Sequence, residues 1–269
     1  MTAGHPVDIA WLDLLTAAAL LLVAVAVSAW ERLGLGRQIL WSGVRATVQL
    51  LIVGHLLRWV FALDRWYVVL SALLVMVLFA TMAATDRLKV AKHYRQHLRA
   101  ICAAAIFLGS LLTLAYVDSW VVGITPWYNP RYLIPLFGMI VANAMNGATL
   151  AAERLQSEMV ARRGEIEAML ALGASVRQAS AEPVRRALAA ALIPTINGLA
   201  VVGVVSLPGM MTGQILAGAD PTMAVRYQLV VAFMLAAATA LTAVGAVWWY
   251  RSLFFTPAAQ LTFRVLPPA

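Results

Sequence analysis

Glu165-Ile166-Glu167-Ala168-Met169-Leu170-Ala171-Leu172-Gly173-Ala174-Ser175 is the stretch on which the reading of this chain turns. It lies inside residues 153–186, the longest polar interruption of an otherwise apolar sequence. That interruption holds five of the twelve carboxylates: Glu153, Glu158, Glu165, Glu167 and Glu182. Ile166, Met169, Leu170 and Gly173 recur at i, i+3, i+4 and i+7, along one face of a helix. Glu165, Glu167 and Ala171 fall on the other face. A short amphipathic helix set between apolar spans is a handle that a partner in the aqueous phase can grip.

Composition bounds what surrounds it. Hydrophobic residues make up 62% of the 269 and charged residues 12%, against about 25% charged in a soluble domain. One all-α, polytopic membrane domain over residues 1–269 is the expectation, with no soluble domain of any size. The formal charge of +8 does not point to nucleic acid, because the basic residues sit in short loops between apolar spans. Cys102 is the single cysteine and permits no internal disulfide.

Seven spans are expected, at about 9–30, 38–61, 66–85, 100–122, 132–152, 187–216 and 225–250. The first is too long, and its flank too poor in Lys and Arg, for a removable signal peptide. Alternate loops on one side collect Arg32, Arg37, Arg87, Lys89, Lys92, Arg95 and Arg99. The same side takes the six arginines of 153–186, then Arg251 and Arg264. The other side holds Arg58, Arg65, Arg131 and Arg226. The positive-inside rule then puts the N-terminus outside and the C-terminus in the cytoplasm, with 153–186 in the cytoplasm as well.

Polar residues within the spans are the candidates for a pathway. Arg45 and Gln49 stand one turn apart in the second span, where Arg45 either snorkels to headgroups or faces a path. Met139, Asn143 and Asn146 share a stripe of the fifth span, and Asn197 lies in the sixth. Amides at such positions either bond to a neighbouring helix or line a route. Ser206-Leu207-Pro208-Gly209-Met210-Met211 predicts a broken helix at membrane depth, since Pro208 cannot donate a backbone hydrogen bond. Such breaks mark substrate paths in transporters. Met210 and Met211 offer soft thioethers there, or only packing. His93 and His97 are spaced i, i+4, but the surrounding cations favour a basic interfacial helix over a metal pair.

No G-x-x-x-x-G-K-[ST] phosphate loop occurs; the two lysines, Lys89 and Lys92, follow no glycine-rich loop. Any nucleotide hydrolysis must come from another polypeptide. Glu167-Ala168, with Gly173 six residues after the glutamate, resembles the cytosolic coupling motif of ABC-transporter membrane subunits. Met145-Asn146-Gly147, Glu153-Arg154-Leu155, the 165–175 stretch, residues 205–218 and Ala224-Val225-Arg226-Tyr227-Gln228 together are similar to the FetB family of iron-export permeases, with arginine at 226 where lysine is common. The resemblance covers about residues 40–250.

That resemblance implies a permease of the bacterial cytoplasmic (inner) membrane that dimerises and pairs with two copies of a separate ABC ATPase. ATP and Mg²⁺ would bind the partner, and this chain would hold no cofactor. The ATPase stroke would pass through Glu165, Ile166, Glu167, Ala168, Met169, Leu170 and Gly173. The exported species would be iron or another metal ion, although plant relatives are linked to aluminium tolerance and a sugar-nucleotide substrate. The alternative is a stand-alone secondary transporter or channel. That class needs an intramembrane carboxylate or an ion filter, and only Asp13 and Asp118 approach membrane depth. A membrane enzyme would need a convergent catalytic set, and the sequence displays none beyond the two histidines.

Overall fold

The computed structural model describes residues 10–88 and 90–267, so Ile9 of the first expected span and Lys89 of the basic loop lie outside the described residues. Among the described residues, regular structure is helical. The order is α1 (Trp11–Trp30), α2 (Gly36–Leu63), α3 (Trp66–Asp86), α4 (Arg95–Val117), α5 (Pro130–Ala161), α6 (Arg163–Ala171), α7 (Val176–Ala179), α8 (Ala181–Val201), α9 (Gly209–Leu216) and α10 (Pro221–Ser252). Six helices are long and apolar enough to cross a membrane: α2, α3, α4 with its flanking turns, α5, α8 and α10; α1 adds a shorter apolar stretch, Thr16–Trp30.

The chain divides into two compact units, Met1–Asp64 and Arg65–Ala269. In the first, α1 and α2 pack as a hairpin. Arg32 turns the corner in the left-handed region at φ 52°, and Ser28 Oγ accepts the Leu35 N–H at 3.1 Å. The second unit is a bundle in which α5 touches α3, α4, α8 and α10, and α10 touches α4, α8 and α9.

The two longest helices start by the same device. Asn129 and Asp220 accept backbone N–H groups from Arg131 and Met223, and Pro130 and Pro221 follow at the first helical position. A capping side chain and a proline with its φ pre-set fix both starting points. Inside the bundle α5 and α10 approach closely at Gly147. A Cβ there would lie 2.8 Å from Thr239 Cγ2 and 3.3 Å from the Thr239 carbonyl oxygen. Small residues are what permit such crossings between membrane helices.

The boundaries differ from expectation in two places, each for a local reason. The fifth span does not stop at 152, because α5 runs on to Ala161. Arg154, Glu158 and Arg162 follow one another at i, i+4, and such pairs carry a helix into water. The expected sixth span, 187–216, is two helices: α8 begins at Ala181 and ends at Val201, and α9 begins at Gly209. Between them Val202 and Ser206 form an isolated bridge around Gly203, whose φ is +84°. The chain leaves the helix seven residues ahead of Gly209, so Pro208 starts α9 rather than kinking one long span.

The charged end of the bundle has its own core. Leu98, Leu155, Met159, Ile166, Tyr250 and Phe254 are fully buried there. The segment after α10 folds back onto this core and buries Phe254 and Val265. The Thr262 N–H donates to the Phe254 carbonyl at 2.8 Å, and the Ala91 N–H donates to the Val265 carbonyl at 2.9 Å.

Candidate functional site

Residues 153–186 fold into a platform built from the end of α5, then α6, α7 and the start of α8. Ile166 is 1% exposed within the core, and Met169 and Leu170 pack partly against the same core. This face docks α6 onto the bundle. Glu165, Glu167, Ala168 and Ala171 stay exposed on the remaining surface. Leu172, just past the end of the helix, is 89% exposed, an apolar knob that the i, i+3, i+4 pattern omits.

Gly173 lies where α6 stops, not on its stripe. The Ala174 N–H reaches back to the Met169 carbonyl and the Gly173 N–H to the Leu170 carbonyl, both at 3.0 Å. This is a Schellman ending, which places the next residue after the cap in the left-handed region, and Gly173 sits there at φ +90°. Two residues later Ser175 starts α7. Its Oγ accepts the Gln178 N–H, and its own N–H donates to Gln178 Oε1 at 2.9 Å. A helix stop and a helix start thus share the four residues 172–175, and the chain reverses there tightly enough to leave Leu172 at the tip.

Ion pairs stiffen the platform. Glu158, 6% exposed, sits 2.7 Å from Arg154 Nη2 and 3.2 Å from Arg162 Nε, with Arg186 Nε at 3.9 Å. Arg162 also donates to Glu165 at 2.8 Å, and Arg186 donates to Glu182 at the same distance. One buried carboxylate therefore joins α5, α6 and α8. The exposed pair Arg163–Glu167, at 2.8 Å, contributes about 0–1 kcal/mol. The Arg163 guanidinium also lies 5.5 Å from the Phe263 ring centroid, tying α6 to the C-terminal segment. A groove of about 250 Å³ runs between α6 and the α7–α8 junction, lined by Glu165, Met169, Gln178 and Glu182 among others.

Of the expected pathway residues, the fold brings Asn143 and Asn146 into one cleft of about 130 Å³, together with Pro194 and Thr195 of α8 and Thr239 of α10. Asn143 Nδ2 donates to the Met139 carbonyl of its own helix at 3.0 Å. Asn197 lies a turn beyond Pro194 and is exposed. Met210 and Met211 are half-buried on α9, and Ser206 is exposed in the break ahead of Pro208. Arg45 and Gln49 are exposed on α2, within the first unit. Among the described residues no group of three His, Cys, Asp or Glu could hold a metal ion. His93 meets the Tyr94 ring edge-on, with centroids 5.5 Å apart, and His97 lies tilted to it at 6.3 Å.

Sequence reading missed Glu158 as the joint of the platform, Leu172 as its tip, and Thr195 and Thr239 in the cleft. The arginines four residues to either side of Glu158 were the available signal for the first. Thr239 carries none, since only the α5–α10 crossing places it.

A helical bundle with spans long enough for a bilayer, bearing a docked helical platform at its charged end, is an integral membrane protein of the permease type. The chain belongs to the uncharacterised protein family UPF0014, which matches residues 11–255. It is 37% identical over 247 residues to the probable iron export permease protein FetB of Escherichia coli, covering 92% of this chain and 93% of that one. It is similar to the UPF0014 membrane protein STAR2 of Oryza sativa, 37% identical over 93% of this chain and 85% of the other. The Arabidopsis thaliana protein ALUMINUM SENSITIVE 3 is 32% identical over 91% of this chain and 87% of its own length. No solved structure matches the chain.

Proposed function

We propose that this chain is the membrane-spanning subunit of an ABC exporter of the bacterial cytoplasmic membrane, moved by a separate ATPase that docks on α6. The single observation that carries the reading is the division of labour within α6: Ile166 anchors the helix to the core, while Glu167, paired with Arg163, and the Leu172 tip stay exposed to a partner. Covering an exposed apolar knob with a partner removes its surface from water, the main favourable term in protein association. A push on Leu172 would travel through Ile166 and the Glu158 joint into α5 and α8, the helices that line the cleft.

In this reading α1 counts as a seventh span. The N-terminus lies outside, and the platform and C-terminus lie in the cytoplasm, as the arginine distribution favours. The permease works as a dimer with two ATPase copies, which carry the ATP and Mg²⁺. The exported species is iron or another metal ion, a reading supported by the similarity to FetB along nearly the whole of both chains.

The test is co-purification with a candidate ATPase, followed by reconstitution and an ATPase screen across metal ions and organic anions. A stable complex whose hydrolysis rises with a metal ion is the expected result. Transport of a metal ion or small organic solute by this chain alone in liposomes would replace the proposal with a secondary transporter or channel.

A further inference from the structure

The cleft of Asn143, Asn146, Thr195 and Thr239 has three walls, α5, α8 and α10. Glu158, with Arg154, Arg162 and Arg186, ties α6 to the first two. It takes no partner from α10. Among the helices, α6 itself packs on α5 and α7, its neighbours in sequence. A push that moved α5 and α8 against a stationary α10 would strain the crossing at Gly147 and Thr239, where the two backbones leave no slack. Something has to bring α10 along.

The segment after α10 spans that gap. It is a small hairpin, in which Phe255 and Leu261 form an antiparallel bridge and the Thr256 N–H donates to the Gln260 carbonyl at 2.9 Å. Ala259 turns the corner at φ 57°. Pairing of the two arms sets the rings of Phe254 and Phe263 edge to face, with centroids 6.2 Å apart. Phe254 meets Tyr250, near the end of α10, in the same way at 5.2 Å. Phe263 meets the Arg163 guanidinium, and Arg163 is the first residue of α6. Glu167, one turn on, holds that guanidinium in place. The row Arg163, Phe263, Phe254, Tyr250 thus runs unbroken from the coupling helix to α10.

An isolated two-stranded hairpin is marginal in water. This one is fixed near both ends, because Phe254 and Val265 are fully buried and the Val265 carbonyl accepts the Ala91 N–H ahead of α4. Held in this way, it transmits a displacement instead of flexing.

We infer, on the reading that an ATPase docks on α6, that residues 253–266 are a strap that makes α10 move with α6. Arg163 and Phe263 are positioning residues. They bring the third wall of the cleft along with the other two. A segment that merely covered the core would need apolar bulk at 263, which leucine supplies as well as phenylalanine. The strap needs the ring, because a guanidinium is drawn to the face of an aromatic quadrupole and not to an aliphatic side chain. It needs the arginine because the guanidinium plane stacks on that ring.

Spin labels on Gly164→Cys and Ser252→Cys, in the complex with the ATPase, report the distance between α6 and the end of α10 by pulsed EPR. Both positions are exposed, an added Cβ at 164 meets nothing within 4 Å, and the buried Cys102 does not take the label. The distance should be the same with ATP and without it. In Phe263→Leu it should shift on ATP binding by about 1–2 Å, the size of helix movements at interfaces. Phe263→Tyr, which keeps the ring, should restore the fixed distance. If Phe263→Leu does not fold, Arg163→Lys makes the same test at a side chain that is 63% exposed.

A distance that changes with ATP in the native strap overturns the inference. So does one that stays fixed in Phe263→Leu, or a Phe263→Tyr variant that behaves like Phe263→Leu. If no ATPase binds the chain, the coupling proposal falls by itself, and the strap is read from the chain alone. The α6–α10 distances should then spread more widely in Phe263→Leu than with the native strap, and equal spreads overturn it.

Discussion

Helices α6 and α9 are almost the same length, nine and eight residues, and they end in the same way. At the end of α9 the Ala219 N–H reaches the Gln214 carbonyl and the Gly218 N–H the Ile215 carbonyl, each at 3.0 Å, with Gly218 at φ +91°. This is the Schellman arrangement of Gly173 repeated. Their surroundings are opposite. α6 buries its apolar stripe in its own chain and turns charge outward, whereas α9 buries no residue completely and leaves Leu216 78% exposed. An identical stop signal therefore serves a helix whose apolar stripe its own chain buries and a helix that its own chain covers only in part.

Substitutions on the two helices should separate these roles. The largest expected effect is at Ile166. Ile166→Ala empties a fully buried site and should cost about 2–5 kcal/mol, seen as a clear loss of thermal stability in detergent. Leu216→Ala should leave that stability nearly unchanged, and an equal loss at both positions would erase the distinction.

Next is the joint beneath α6. Glu158→Gln removes the charge that holds Arg154, Arg162 and Arg186, and should cost about 1.5–3 kcal/mol, the range for hydrogen bonds to a charged group. Proteolysis after Arg162 or Arg163 should accelerate along with it, because α6 loosens from α5. Unchanged cleavage would mean that Ile166 alone holds the platform.

Gly173→Ala and Gly218→Ala force an L side chain into the left-handed region at a cost of about 1–2 kcal/mol each. The structural cost should match at the two positions while the consequence differs. Only Gly173→Ala should weaken binding of the ATPase, measured by pull-down. The smallest effect on stability belongs to Glu167→Arg, which breaks an exposed pair worth about 0–1 kcal/mol. Its unfolding temperature should barely move while transport-coupled hydrolysis falls. Normal coupling would remove Glu167 from the contact.

The contrast between the two helices was only half visible in the sequence. The inward stripe of α6 follows from periodicity, and Ile166 is buried as its spacing demands. The break before α9 is signalled by Pro208, but the helix ends earlier, at Val201. There the run Val202-Gly203-Val204-Val205 looks like uninterrupted span, and only the positive φ of Gly203 betrays the turn. The arginines four residues to either side of Glu158 are a local signal of pairing, but its burial is not legible, because Arg186 comes from a different helix. The fold-back of residues 253–267 was hidden too, since Phe254 and Val265 recur at no helical or strand period. Asn143 and Asn146 are legible as polar residues in a span. Which helix they would face depends on how α8 packs beside α5, a fact of the bundle rather than of either segment.

The exposed tip of α6 offers the most direct measurement. With Leu172→Cys as the sole accessible thiol, a membrane-impermeant maleimide should label inside-out vesicles and spare right-side-out ones, and bound ATPase should protect the site. Labelling from the cell exterior, or labelling that the ATPase does not block, would contradict the account.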